Sequence, residues 1–123
     1  MLKKENKNAF IEICPIRNVV ARFGNKWAIL ILLTIYEEKN IRFSQLQNKI
    51  PDISKNILSS TLKTLYADDL IERKVFNVMP LKVEYSLTKR GESLIPIIFQ
   101  LNDWAQKNFN SIIEHREKFN QED

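Results

Sequence analysis

One cysteine, one histidine and two glycines are all that this 123-residue chain contains of those types, and the shortages close off several kinds of chemistry. With Cys14 alone, no disulfide can form within the chain, and a reducing, cytoplasmic setting is expected. One Cys and one His cannot build a zinc site of the usual kind, so neither a metal nor another cofactor is expected. His115 lies among glutamates in a polar tail, and the paired carboxylates Glu37-Glu38 and Asp68-Asp69 fall at expected helix ends, where solvation accounts for them. Gly24 and Gly91 make no phosphate-cradling loop. The chain does not read as an enzyme.

Long apolar runs are missing too. The longest block, Trp27 to Leu33, is well short of the roughly 17–25 residues of a membrane span. Met1 to Asn8 is polar and does not read as a signal peptide, so no membrane partner is expected. Repeats and low-complexity tracts are absent.

What is present suits one domain over residues 1–123, with its core at about 12–106 and a charged tail at about 114–123. The 44% hydrophobic content is enough for a single buried core. The net charge of +4 is unevenly spread, +3 over residues 1–39, +4 over 40–90 and −3 over 91–123. A basic front and an acidic tail are expected where one part meets phosphate and another does not.

Pro15 suits the first turn of a helix that runs to Phe23 and stops at Gly24 in a left-handed conformation. Asn25 caps a second helix over about Lys26 to Glu38, apolar all round and therefore expected to be surrounded by others. A short extended piece, Asn40 to Phe43, leads to a brief helix in which Ser44 and Gln47 form a capping box. Ser54 caps the next helix, Lys55 to Tyr66. Its period gathers Ile57, Leu58, Thr61, Leu62 and Leu65 inward and Asn56, Ser59, Ser60 and Lys63 outward, with Lys55 at the flank. Ile71 to Val78 and Lys82 to Leu87 read as strands around a tip at Met79-Pro80-Leu81. Thr88 caps a last helix that runs to about residue 115, bends slightly at Pro96 and frays into the tail. Helix, helix, short strand, helix, turn, helix, hairpin and long helix make an α+β, mostly α, fold: a winged helix-turn-helix with a two-stranded wing.

Four clusters then resemble the HxlR family of bacterial regulators, relatives of the MarR group. They are Cys14-Pro15; Gly24-Asn25-Lys26-Trp27 with Ile29-Leu30; Arg42 to Leu46; and Pro80 with Val83 to Thr88 and Gly91. Asn25 stands where a second glycine is common, and Leu81-Lys82 where Pro-Arg or a similar pair is frequent. The resemblance implies a homodimer that binds operator DNA and often represses a nearby gene in response to small reactive molecules.

The residues supply a mechanism for such binding. A helix laid in the major groove turns its outer face to the base edges. Here the recognition helix at about 54–66 offers Lys55, Asn56, Ser59, Ser60 and Lys63. Asn56 is the best base reader, because an amide can pair with adenine N6 and N7 together. Ser44 and Ser54, at helix starts, suit phosphate, and Lys74 and Lys82 in the wing at about 74–83 suit the adjacent backbone or minor groove. In the long C-terminal helix, Leu94, Ile98, Leu101, Trp104 and Phe109 are expected to pair with a second copy across a pseudo-palindromic site. Cys14, beside Pro15 at a helix start and one turn from Arg17, is placed where a thiolate is favoured. In some members of the resembled family a cysteine at this position senses electrophiles or oxidants. The alternative reading is a winged helix used as a protein-interaction module, against which the carboxylate-free face from Lys55 to Lys63 argues.

Overall fold

The computed structural model describes residues 14–122. The polar start of the chain, the first residues of the expected core and the terminal Asp123 lie outside the described residues. Helix α1, Ile16–Phe23, opens as a π-helical stretch over Ile16–Val20 and closes as α-helix over Ala21–Phe23. It meets α2, Lys26–Glu38, at a bend of 64°. Gly24 does not take the expected left-handed conformation; its φ is −82°. Space is what requires a glycine there, since a Cβ would sit 2.8 Å from the Val20 carbonyl oxygen. Asn25 caps α2 as expected, its Oδ1 accepting the Ala28 N–H at 3.0 Å.

Helix α2 threads the core through Ala28, Ile31, Leu32 and Ile35, all completely buried. The expectation that it is surrounded on every side does not hold, for Leu30 and Tyr36 stay exposed. The other elements of so small a domain cover only part of its girth. Ile41 then bridges Tyr85 through two backbone hydrogen bonds of 3.0 and 2.8 Å, fixing the hairpin to the core. Helix α3, Phe43–Lys49, starts earlier than the Ser44–Gln47 box requires. Arg42 is its N-cap, and Gln45 reaches back to accept the Arg42 N–H at 2.9 Å. Phe43 packs against the core, which draws it into the first turn and leaves Ser44 inside the helix.

Helix α4, Lys55–Ala67, begins where expected, with Ser54 Oγ accepting the Ile57 N–H at 3.1 Å. Leu58, Leu62 and Leu65 bury its inner face, while Ile50 and Ile53 anchor the turn from α3. Strands β1, Ile71–Phe76, and β2, Lys82–Leu87, pair antiparallel, from Ile71 opposite Leu87 to Phe76 opposite Lys82.

Helix α5 spans Lys89–Glu122, 34 residues, and does not fray near residue 115. Good helix formers with oppositely charged ends four apart, Glu114 and Lys118 among them, carry it onward. Thr88 ties its start down. The Thr88 hydroxyl donates to the Asp69 carbonyl at 2.6 Å and accepts the Gly91 N–H at 3.0 Å. At Gly91 the helix passes so close to the turn after α4 that a Cβ would lie 2.0 Å from the Leu70 carbonyl oxygen. Ile95 and Ile98 end the part of α5 that enters the core. Ile98, expected at a dimer seam, is therefore used inside its own chain, and Leu94 packs partly against the same core. Pro96 lies on the exposed side of the helix between them.

Candidate nucleic-acid interface

Three buried leucines on one side of α4 decide what its other side can present. Lys55, Asn56, Ser60 and Lys63 are exposed, and Ser59 is half-buried at the flank. No acidic side chain lies within ion-pair distance of Lys55 or Lys63 among the described residues, and α4 itself carries no carboxylate. The Asn56 amide has no hydrogen-bond partner among them, so its donor and acceptor both remain available. Ser60 is partly engaged, its hydroxyl donating to the Ile57 carbonyl at 3.1 Å.

Ile57, read from the sequence as inward, is 40% exposed and stands beside this polar row. An aliphatic side chain there can touch a thymine methyl group. The period placed it at the edge of the inner arc, and only packing decides on which side of an edge a residue falls. Ser54 remains exposed at the N-cap of α4, and Ser44 is exposed in the first turn of α3.

The hairpin arranges its cations around a ring. The Lys74 and Lys82 ammonium groups lie 5.0 and 4.9 Å from the Phe76 ring centre. Lys82 also pairs with Glu84 at 3.2 Å, so part of its charge is already answered within the chain. Sequence reasoning missed Phe76. The signal was the strand period, which puts Lys74 two residues before it and the paired Lys82 directly across, all on one face.

Two exposed ion pairs brace the elements behind this face. Arg22 Nε meets Asp68 Oδ2 at 2.6 Å, joining α1 to the end of α4, and Lys49 Nζ meets Glu38 Oε1 at 2.7 Å, joining α3 to α2. Hydrogen bonding to Asp68 holds the Arg22 guanidinium pKa above its ordinary value, and hydrogen bonding to Glu38 does the same for Lys49.

Beyond Ile98, α5 leaves the body of the domain. Leu101, Trp104 and Phe109 are each more than half exposed there, as are Ile97 on α5 and Ile16 and Val19 on α1. Cys14 is half-buried just before α1, its carbonyl accepting the Asn18 backbone N–H at 2.9 Å and side-chain amide at 3.1 Å. A cavity of about 460 Å³ opens between α1, the end of α4 and α5, lined in part by Val19, Phe23, Leu70, Arg90, Leu94 and Ile97. No single described helix is long and apolar enough to cross a membrane.

A family model described as HxlR-like helix-turn-helix matches residues 22–113. The chain belongs to the HxlR-like helix-turn-helix family. It is 38% identical over 111 residues to the HTH-type transcriptional regulator BH0655 of Halalkalibacterium halodurans, covering 90% of this chain and 98% of that one. Among solved structures, the regulator ytfH of Salmonella typhimurium superposes with a TM-score of 0.76 at 34% identity, over 89% of this chain and 97% of that one. The redox regulator HypR in its reduced form superposes with a TM-score of 0.74 at 30% identity, over 81% and 98%. The protein is thus a transcriptional regulator built on a winged helix-turn-helix DNA-binding fold, and the family match spans both the core and the hairpin described above.

Proposed function

We propose that the protein represses transcription by binding a pseudo-palindromic operator as a homodimer, with one α4 in the major groove of each half-site. The observation that carries this reading is the outer face of α4, where Lys55, Asn56, Ser60 and Lys63 stand exposed with no carboxylate among them. A protein-binding surface has no need to exclude carboxylates, whereas a polyanion does. In this reading Asn56 reads a base edge, and Ile57 reads a methyl group. Lys55, Lys63, Ser44, Ser54, Ser59 and Ser60 hold phosphates or bases, and Lys74 and Lys82 follow the backbone beside the hairpin.

A second copy of the chain covers Leu101, Trp104 and Phe109 of α5 together with the exposed apolar side chains of α1, and Leu94 borders that seam. This pairing sets the spacing between the two α4 helices. Cys14 lies at the start of α1, where a modification reaches the same seam and so alters that spacing. The relative named as a redox regulator supports the choice of a thiol as the point of sensing. A small or electrophilic effector is then read without touching DNA.

A salt titration of duplex binding separates this reading from a protein-interaction module. A steep loss of affinity with salt is expected for the operator-binding dimer, and a flat response assigns the winged helix to a protein partner.

A further inference from the structure

The apex of the hairpin holds the most exposed apolar side chain on the described surface. Met79 is 98% exposed, and Val78 and Leu81 beside it are more than half exposed. Between Lys74 and Lys82 there is no charged residue, and Asn77 is the one polar side chain. Apolar side chains left in water at a loop tip add nothing to the fold, and grouped together they mark a contact surface. At the base of this apex Lys74 and Lys82 flank the Phe76 ring, so the surface it meets combines apolar walls with negative edges.

The minor groove of duplex DNA is such a surface, with sugar rings for walls and phosphates along both lips. The reach of the hairpin agrees. Ile71 is buried at the core, and five residue steps to Phe76 carry the strand about 17 Å outward. The DNA helical repeat is about 34–36 Å, so about half of it separates a major groove from the minor groove that follows on the same side. A hairpin that follows α4 after residues 68–70 therefore has the length to reach the neighbouring minor groove when α4 lies in the major one.

We infer that Val78, Met79 and Leu81 enter the minor groove flanking each half-site and select A·T pairs there by excluding the guanine amino group. The inference rests on the operator-binding reading above. In the minor groove A·T pairs present only acceptors, while G·C adds the N2 amino donor on the groove floor. An apolar side chain pressed onto that amino group removes its water and offers no acceptor in return, which costs more than meeting an A·T floor. Aliphatic and thioether side chains of this kind are used by other minor-groove proteins as wedges between base steps.

The test uses the full chain and a duplex that it recovers from a random-sequence pool. Base pairs flanking the recovered motif are changed from A·T to G·C, and separately to inosine·C, which keeps the guanine major-groove edge but lacks the amino group. Wild type is expected to lose about tenfold in affinity for each G·C flank and to regain it with inosine·C. The double variant Met79→Ser/Leu81→Ser is expected to bind all three flanks alike while keeping its preference within the motif. Met79→Leu is expected to discriminate as wild type does. An unchanged thermal unfolding midpoint shows that the serine variant is folded.

Equal wild-type binding to all three flanks overturns the inference, and so does an inosine·C flank as weak as G·C, which assigns the readout to the major groove. Binding to phosphatidylserine vesicles that is lost in the serine variant, with DNA binding insensitive to the flanks, assigns the apex to a membrane and overturns it too. Failure to recover any duplex overturns the operator-binding reading itself, which keeps the two failures apart.

Discussion

Asn56 and Lys63 are both polar, both exposed and seven residues apart on one helix face, yet they differ in what their removal should cost. An amide that pairs with one base carries sequence information, so Asn56→Ala should relax preference at one base pair per half-site and cost on the order of 1–3 kcal/mol. An ammonium serves phosphate equally well on any sequence, so Lys63→Ala should weaken binding to all duplexes alike. Measuring both variants against a panel of mutated operators distinguishes the two, and the reverse pattern means that another element reads the bases. Lys82 needs a different prediction, because Glu84 sits 3.2 Å away. Glu84→Gln should release that cation and tighten binding to every sequence, and a loss of affinity instead shows that the pair positions the hairpin. At Cys14 the outcome concerns regulation. If the thiol is the sensor, diamide should release operator from wild type but not from Cys14→Ser, with bound fraction as the readout; equal release from both proteins assigns sensing elsewhere.

Whole elements were legible in the sequence where a local signal and a packing demand agreed. The Asn25 and Ser54 caps, the inward leucines of α4 and the bounds of β2 appear in the fold as the sequence places them, though β2 is half-buried along its whole length and does not alternate. Where the two demands diverged, packing won. Phe43 joined the core and moved the start of α3 ahead of Ser44, and Ile98 went into the core because the first part of α5 lies against α2 and β2. Ile57 fell on the open side of an arc whose edge periodicity cannot fix. The exposed polar face of α4 was readable for the same reason that the fold was: a helix with one apolar face has only its other face to offer. The Phe76 platform was not, since it depends on strand register, and register is set by tertiary pairing.

Two predictions belong to α5. Gly91→Ala should destabilise the fold by about 1–3 kcal/mol or more, because the added carbon meets the Leu70 carbonyl, a backbone atom that cannot swing aside. Calorimetry reads this as a lower unfolding midpoint, and an unchanged midpoint means that α5 enters the domain less closely. Leu101→Glu with Trp104→Glu should instead leave the monomer fold intact, since both side chains lie outside the core, but separate the dimer by burying charge at an apolar seam. Sedimentation at micromolar protein should then show monomer, and a persistent dimer moves the interface to other surfaces such as α1.

At the scale of the whole molecule, charge and shape are divided between two ends of one chain. The residues that suit phosphate lie in the basic span 40–90, while α5 carries the acidic tail away from it as a helix about 51 Å long. Such a layout keeps the acidic tail from competing for the cations that suit phosphate. If each dimer neutralises about six to eight phosphates, affinity should fall roughly 10³-fold or more between 50 and 200 mM salt. The measurement that bears most directly on the central claim is selection of bound duplexes from a random pool by the intact protein, followed by alignment of the recovered sequences. The account predicts two inverted half-sites with centres about 34–36 Å apart, one helical turn, each spoiled by changes at the base pair that Asn56 reads. Recovery of no common sequence, or of a single half-site without its inverted partner, would contradict it.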